Sequence, residues 1–249
     1  MRYSHRIISG KQCHLFIRGE AGPVIFWGIA AGSGAMARKT ARLLADAVGE
    51  DFLLAAYETE DWNREFSPWP ARGVREGENF AGGGRDTLSW LAKACIPRVE
   101  AEYGAASGGR FVAGYSLAGL FALWAYLESG LFSGAAAMSA SLWFPGWMEL
   151  LEQTKGRPKS PFGTEQFRES GKDSIYLSLG RKEEKTRNPW MAAVGDATRE
   201  TERMFRKEAA MKHVILEWNP GGHFSDPEGR CARGMAWLIR EQTKMGGEQ

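Results

Sequence analysis

One serine lies where an apolar strand pattern gives way to an apolar helix pattern, a position that suits nucleophilic chemistry. Ser116 is part of the segment Gly114-Tyr-Ser-Leu-Ala-Gly119, in which residues 110–114 predict a strand and residues 117–128 predict a helix. A sharp turn from strand to helix exposes the hydroxyl at a helix N-terminus, whose dipole favours developing negative charge. Ala118 replaces the second glycine of the usual Gly-x-Ser-x-Gly pattern. We interpret Ser116 as a nucleophile; the alternative is a serine that only caps the helix.

A serine hydroxyl is a weak nucleophile until a base takes its proton, so a histidine is required. In proteins with this strand–serine–helix turn, the chain order is serine, then an acid, then histidine. His5 and His14 precede Ser116, which leaves His213 and His223. His213 lies at the start of the last predicted strand, whereas His223 follows that strand in a Gly-Gly-His-Phe loop at the carboxyl edge. We therefore predict that His223 is the base.

The acid is expected after the preceding predicted strand, residues 174–179. The segment Gly180-Arg-Lys-Glu-Glu184 offers two neighbouring carboxylates there. One of them would hold the imidazole in the correct tautomer and stabilise its charged form. We prefer Glu183, with Glu184 as the alternative and Asp196 as a distant third candidate.

Acyl transfer also needs hydrogen-bond donors for the oxyanion. The backbone N–H of Leu117 is one donor that the turn at the serine supplies. The second is expected either in the Gly28–Ile29 region or in the loop that begins at Glu58, and the sequence does not separate the two. Large side chains in loops are expected to line an apolar pocket, although they could instead cap the core. The predicted substrate-binding residues are Trp62, Arg64, Trp69, Tyr115 and Trp143.

Short apolar runs alternate with helical patterns along the chain, which is typical of a mainly parallel sheet with helices on both faces. The predicted strands are residues 13–18, 23–28, 51–57, 110–114, 134–139, 174–179 and 214–218. The predicted helices are residues 33–48, 86–103 with a kink or break at Pro97, 117–128, 190–211 and 226–243. Two long segments, 58–84 and 141–172, are expected to be active-site loops. We expect one α/β domain over residues 1–249.

Composition argues against several other classes of protein. The net charge is +2, with 32 basic and 30 acidic residues spread along the chain, so we expect no nucleic acid and no membrane as partner. Cys13, Cys95 and Cys231 lack the spacing of metal ligands, so we expect no metal. No segment has the pattern of a signal peptide or approaches about 20 consecutive apolar residues. These features predict a cytoplasmic protein with reduced cysteines.

With these residues in place, the chain resembles the Putative esterase family of α/β-hydrolases, which is related to esterase D and enterochelin esterases. The motifs that carry the resemblance are Gly114-Tyr-Ser-Leu-Ala-Gly-Leu-Phe-Ala-Leu123, Asn63-Arg-Glu-Phe-Ser-Pro-Trp-Pro70, Leu179-Gly-Arg-Lys-Glu-Glu184 and Gly221-Gly-His-Phe224. The resemblance implies the α/β-hydrolase fold and a Ser–acid–His hydrolase that acts on a small-molecule carboxylic ester or thioester without metal or organic cofactor. It also implies that the segment from Arg64 to Pro70 lies beside the active site. The family spacing of glycine and acid supports Glu183.

A second segment, Ala30-Ala-Gly-Ser-Gly-Ala-Met-Ala-Arg-Lys-Thr40, also follows a predicted strand and opens a helix, as a phosphate-binding loop does. That loop needs a glycine directly before its lysine, where this chain has Arg38, so nucleotide binding is not predicted. Two alternatives remain open. One is a non-catalytic relative that binds a ligand or partner, and the other is acyl transfer or peptide hydrolysis by the same residues.

Overall fold

A central sheet organises the part of the chain that the computed structural model describes, which is residues 1–20, 22–74, 77–103, 109–154, 173–207 and 213–246. The strands are β1 (Arg2–Ile8), β2 (Lys11–Arg18), β3 (Val24–Ala30), β4 (Phe52–Thr59), β5 (Pro70–Arg72), β6 (Asn79–Ala81), β7 (Arg110–Tyr115), β8 (Gly134–Met138), β9 (Ser174–Gly180) and β10 (His213–Asn219). Eight of these described strands form one sheet in the order β1-β2-β4-β3-β7-β8-β9-β10. β2 pairs antiparallel with β1 and β4, and the remaining pairs are parallel. β5 and β6 form a separate short hairpin.

Helices cover both faces of this sheet. They are α1 (Gly34–Ala47), α2 (Trp62–Glu65), α3 (Gly84–Trp90), α4 (Ile96–Tyr103), α5 (Leu117–Glu128), α6 (Trp147–Thr154), α7 (Pro189–Ala192), α8 (Val194–Lys207) and α9 (Pro227–Gly246). α1 and α9 contact each other and bury their apolar residues against one face. α5 packs on β7 and β8 within the apolar cluster of the other face. In the described part of the chain, every helix is too short or too polar to span a membrane.

The parallel half of the sheet brings four chain segments to one edge. β7, β8, β9 and β10 are consecutive neighbours, so their carboxyl ends lie side by side. Directly beyond these ends come Ser116, Ser139, Glu183 and His223. These four residues are far apart in the sequence but lie at the same edge of the sheet, because the strands that they follow are adjacent.

The main difference from the sequence prediction is an additional first strand. β1 forms a hairpin with β2 through Ser9 and Gly10, whose φ angles are 44° and 87°. A two-residue turn with positive φ at both positions is favoured in hairpins because its twist matches that of the strands. β1 lies at the sheet edge and is mostly exposed, so its apolar content is too low to predict it as a core strand.

Other predicted elements are present with shifted bounds. The helix predicted over 86–103 is divided by a π-helical turn at Leu91–Cys95, which ends two residues before Pro97 in the first turn of α4. The helix predicted over 190–211 is two helices, α7 and α8, and its last residues lie outside the described part. The segment 58–84 contains α2 and the β5–β6 hairpin, while 141–172 contains α6 and then leaves the described residues at 155.

Candidate active site

Ser116 sits on a strained turn between β7 and α5. Its backbone has φ 58° and ψ −123°, a conformation that costs a serine free energy and persists only where neighbouring structure enforces it. That enforcement comes from β8 and the loop beyond it: Ser116 N–H donates to Met138 O at 3.0 Å, and Ser141 N–H donates to Ser116 O at 3.0 Å. This backbone conformation places the Ser116 hydroxyl at the N-terminus of α5.

Small residues are needed where the turn folds back on itself. A Cβ at Gly114 would lie 2.0 Å from the carbonyl oxygen of Ala118, and one at Gly119 would lie 3.0 Å from the Cβ of Ala140. Ala118 itself is fully buried in the apolar cluster around α5. The alanine that departs from the usual motif is thus accommodated without disturbing the turn.

Three side chains from three loops form one chain of hydrogen bonds. Ser116 Oγ lies 3.0 Å from His223 Nε2, and His223 Nδ1 lies 2.7 Å from Glu183 Oε2. Both distances are within the hydrogen-bond range expected for a nucleophile, its base and a group that orients the base. The arrangement can activate the serine hydroxyl and stabilise the imidazolium that results.

The carboxylate of Glu183 is almost completely enclosed, with 5% of its side chain exposed. Its Oε1 accepts hydrogen bonds from Ser139 Oγ at 2.7 Å, from Gly180 N–H at 2.7 Å and from Arg230 Nη1 at 3.0 Å. Burial alone would raise the pKa of Glu183, but hydrogen bonds with His223, Ser139 and Gly180 outweigh it and hold that pKa below its ordinary value. Glu183 is therefore ionised at neutral pH.

The structure separates Glu183 from the two alternative acids. Glu184 Oε2 accepts from Arg199 Nη2 at 2.8 Å, and a Cβ at Gly195 would lie 1.9 Å from that same oxygen, so Glu184 packs against α8. Asp196 is 93% exposed and pairs with Arg199 as well. Of the three predicted candidates, only Glu183 is in contact with His223.

The other histidine considered as a base lies at the opposite end of the sheet. His213 begins β10, and its Nδ1 is 3.0 Å from Glu241 Oε2 on α9. Since β10 runs from His213 to Asn219, the loop that carries His223 follows the far end of the same strand.

The predicted oxyanion donors occupy different settings. Leu117 is the first residue of α5, so its N–H has no acceptor within the helix. Gly28 and Ile29 lie inside β3, because the strand continues to Ala30 and does not end at Gly28 as the sequence predicts. Val24 N–H donates to the carbonyl just before β7, and Ala31 N–H donates to one on β4. Because the backbone N–H groups of a strand point alternately to its two neighbours, the N–H of Gly28 points to β7 and that of Ile29 points to β4, both within the sheet.

The alternative loop, which begins at Glu58, uses its own N–H groups. Those of Glu60 and Asp61 donate to Glu65 Oε1 at 3.0 and 3.2 Å, and that of Arg64 donates to Asp61 Oδ1 at 3.0 Å. These three N–H groups are engaged in capping α2.

A cavity of about 270 Å³ opens beside the Ser116 hydroxyl. It is lined by Ser116, Ser139, Ala140, Ser141, Trp143, Lys182, Glu183, Thr186, Met191, Val194, His223 and Phe224. Trp143 is the one predicted substrate-binding residue among these lining residues. The walls thus come mainly from the loops after β8, β9 and β10.

The remaining predicted substrate-binding residues are not among the residues that line this cavity. The Trp62 ring packs edge-on against Phe66 at 4.9 Å, so Trp62 contributes to the core. Arg64 pairs with Asp86 on α3 at 3.0 Å. Trp69 Nε1 donates to the carbonyl of Pro145 at 2.7 Å, which braces the loop that carries Trp143 from behind. Side-chain type alone identifies such aromatics but not the direction in which they face.

Tyr115 also differs from its predicted role. Its hydroxyl donates a hydrogen bond to the carbonyl oxygen of His223, and Tyr115 is not among the residues that line the cavity. Sequence reasoning missed Ser139, Ser141 and Arg230 altogether. Ser141 Oγ lies 3.4 Å from Ser116 Oγ, and Ser139 and Arg230 bind Glu183. Only their placement directly after β8 and near the start of α9 could have pointed to them.

Solved structures share this fold over nearly the whole chain. The IroE-like serine hydrolase from Shewanella oneidensis has a TM-score of 0.75 at 16% identity, over 96% of this chain and 80% of that one. The siderophore hydrolase EstB from Aspergillus nidulans has a TM-score of 0.69 at 17% identity, over 96% and 94%. The enterobactin esterase FES from Shigella flexneri has a TM-score of 0.62 at 15% identity, over 98% and 59%. At these identities the likeness concerns the fold, and it confirms the predicted α/β-hydrolase type.

The family within that class follows from the sequence match. The family model described as Putative esterase matches residues 40–224, which is more than half of the chain and includes Ser116, Glu183 and His223. The chain therefore belongs to this family, as its motifs predict, and is a hydrolase of ester bonds. No curated protein matches the sequence.

Proposed function

We propose that the protein is a serine carboxylic-ester hydrolase that cleaves a small-molecule ester or thioester through an acyl-serine intermediate. The observation that carries this proposal is the unbroken hydrogen-bond chain from Ser116 through His223 to Glu183. The strained turn supports it further, because that turn presents the serine hydroxyl at the N-terminus of α5.

In the first half-reaction, His223 Nε2 takes the proton of the Ser116 hydroxyl while Oγ attacks the ester carbonyl carbon. The carbonyl oxygen becomes an oxyanion, to which Leu117 N–H donates. Glu183 stabilises the imidazolium through Nδ1 and fixes its orientation. His223 then gives the proton to the leaving group, which is the alcohol oxygen of an ester or the thiol sulfur of a thioester. The bond from the carbonyl carbon to that atom breaks, the carbonyl re-forms, and the acyl group remains on Ser116.

In the second half-reaction, His223 takes a proton from a water molecule that attacks the acyl-serine carbonyl carbon. The same imidazole returns this proton to Ser116 Oγ as the carboxylic acid leaves. The exposed side of the cavity gives water access, because His223 retains 27% side-chain exposure. The two halves use the same base, His223, the same orienting acid, Glu183, and the same oxyanion donor, Leu117 N–H.

The cavity restricts the substrate. At about 270 Å³ it lies at or below the roughly 300 Å³ lower end of pockets for drug-sized ligands, so a short acyl or small aromatic group is favoured. Trp143, Met191 and Val194 provide apolar contact, and Phe224, which is 90% exposed, extends it toward the entrance. Since two neighbours in fold are named as hydrolases of siderophores or enterobactin, siderophore esters belong in the test panel.

The direct test is labelling with a fluorophosphonate, followed by mapping of the modified residue. We expect labelling at Ser116 in the native protein and none in Ser116→Ala, with both proteins equally folded by circular dichroism. A panel of p-nitrophenyl esters from acetyl to decanoyl, with siderophore esters, then sizes the pocket; turnover is expected to peak at short chains. Unchanged ester turnover in Ser116→Ala would overturn the proposal.

A further inference from the structure

A fully buried arginine joins the loops of the candidate active site. Arg230 lies in the first turns of α9 with no exposed side-chain surface. Its Nη1 donates to Glu183 Oε1 at 3.0 Å, to Ser139 Oγ at 2.6 Å and to Tyr115 Oη at 3.2 Å. Its Nη2 donates to two carbonyls of the loop that carries His223, those of Pro220 at 3.1 Å and Gly222 at 3.2 Å.

We propose that Arg230 is a positioning residue, which holds the acid and the base of the proposed hydrolase in register through one guanidinium. This inference rests on the proposed function. Arg230 does not line the cavity, so it acts through Glu183 and His223 and does not touch substrate.

The contacts reach every strand that contributes to the site. Nη1 binds residues at the ends of β7, β8 and β9, and Nη2 binds the loop after β10. Tyr115 adds an indirect path, because its hydroxyl accepts from Arg230 and donates to the carbonyl of His223. A planar fork of donors suits this geometry, whereas the single ammonium of lysine does not reproduce it.

The structure is shaped around this side chain. A Cβ at Gly180 would lie 2.6 Å from Arg230 Nη2 and 2.8 Å from Glu183 Oε1. Glycine at the end of β9 therefore leaves the space in which acid and guanidinium meet. The pair is also balanced in charge, with Arg230 at 0% and Glu183 at 5% side-chain exposure, so loss of either partner leaves an uncompensated buried charge.

Placement explains why this arginine should affect rate more than binding. His223 sits in a loop with exposed neighbours, and its position relative to Ser116 and Glu183 depends on the carbonyls that Arg230 holds. Misplacement of a catalytic group by about 1 Å can cost on the order of 10²-fold in rate. Because the apolar lining residues Trp143, Met191 and Val194 are not among the hydrogen-bond partners of Arg230, KM should change much less than kcat.

The test compares Arg230→Met and Arg230→Lys with Arg240→Met, a control on the same helix whose guanidinium binds the carbonyl of Ala47 instead. Each variant is measured for folding, for kcat and KM on a short ester, and for the rate of fluorophosphonate labelling. We expect kcat and labelling rate to fall together by about 10²-fold in Arg230→Met, with KM within about threefold and Arg240→Met unchanged. Arg230→Lys should fold but should not restore full kcat. If Arg230→Met does not fold, the kcat and labelling rate of Arg230→Lys provide the test.

A double-mutant cycle separates positioning from general stabilisation. If Arg230 acts through the acid, adding the arginine substitution to Glu183→Gln should cost clearly less in labelling rate than it costs in the native protein. The inference is overturned if the folded Arg230 variants label as fast as the native protein, or if the two losses are fully additive. Failure of the native protein to label would overturn the proposed function instead.

Discussion

Two histidine–glutamate pairs lie toward the same end of the sheet and look alike in isolation. His223 Nδ1 is 2.7 Å from Glu183 Oε2, and His14 Nε2 is 3.0 Å from Glu58 Oε1. In both pairs the carboxylate also accepts a hydrogen bond from the backbone N–H of a glycine. Hydrogen bonds hold the pKa of both carboxyls below the ordinary value.

The difference lies at the second nitrogen of each imidazole. His223 Nε2 faces Ser116 Oγ on a strained turn, whereas His14 Nδ1 faces the phenol oxygen of Tyr3 at 3.0 Å on the edge strand β1. Tyr3 has neither the strained turn nor a helix N-terminus behind it. A histidine and an acid are thus a structural pair in one place and, in our proposal, part of a nucleophile's activation in the other.

The larger of the two cavities beside these histidine–glutamate pairs is not the one beside Ser116. The pair at His14 borders a wider and more open cavity of about 720 Å³, which also adjoins the segment that resembles a phosphate-binding loop. There Arg38 stacks over the Tyr3 ring at 4.2 Å, and Lys39 pairs with Glu228 at 3.2 Å. Both cations therefore contact other side chains of the same chain. The smaller cavity is the one that contains a candidate nucleophile.

The largest effect should separate the two histidines. His223→Gln is expected to lower kcat for a short ester by at least about 10³-fold, because Ser116 loses its base. His14→Gln should keep kcat within about threefold but lower the free energy of unfolding by roughly 1–2 kcal/mol, since a buried hydrogen-bond network is broken. Ester kinetics and urea unfolding measure the two quantities. Equal losses of kcat in both variants, with both proteins folded, would remove the distinction between the pairs.

The next effect concerns the two neighbouring glutamates. Glu183→Gln should lower kcat by about 10²- to 10⁴-fold, because an amide neither stabilises the imidazolium nor enforces the same tautomer. Glu184→Gln should remain within about threefold, since Glu184 pairs with Arg199 at the surface, where such pairs contribute little. Kinetics of the two variants at pH 8 provide the measurement. A larger loss in Glu184→Gln would contradict the assignment.

The sequence predicts those parts of the fold and of the candidate site that depend on local pattern and on the order of elements along the chain. Ser116 followed from a strand–turn–helix pattern, and His223 followed because loops after parallel strands meet at one edge. The preference for Glu183 over Glu184 rests partly on the spacing of glycine and acid in the family that the chain resembles. The 3₁₀ turn Glu183–Lys185 supplies a physical reason, because it directs the first carboxylate toward His223 and the second toward Arg199 on α8.

The rest depended on tertiary contacts that no local pattern encodes. Arg230 occupies the start of an amphipathic helix, where a charged side chain is normally exposed, yet it is fully buried because the loop after β9 provides a carboxylate. Trp62 and Trp143 lie in the two long segments that the sequence predicts to be loops, but Trp62 begins helix α2 and packs against Phe66, whereas Trp143 lines the cavity. The direction of a side chain in an irregular loop is set by its neighbours in space.

The smallest effect should be common to both histidine–glutamate pairs and concerns stability against pH. Burial would raise the pKa of Glu58, but hydrogen bonds with Gly32 N–H and His14 lower it, as hydrogen bonds lower that of Glu183. A carboxyl with a lowered pKa in the folded state contributes stability that is complete above its unfolded pKa of about 4.3 and lost as pH falls through the folded pKa.

The native protein should therefore lose stability as pH falls below about 5, and Glu58→Gln should lose less over the same interval because its side chain does not titrate. Urea unfolding at pH 7 and at pH 4 measures the difference, which we expect to be about 1 kcal/mol or less. At pH 7 the same variant should retain its ester turnover, unlike Glu183→Gln. Parallel stability profiles for Glu58→Gln and the native protein would show that the ionisation of Glu58 contributes nothing to the pH dependence of folding.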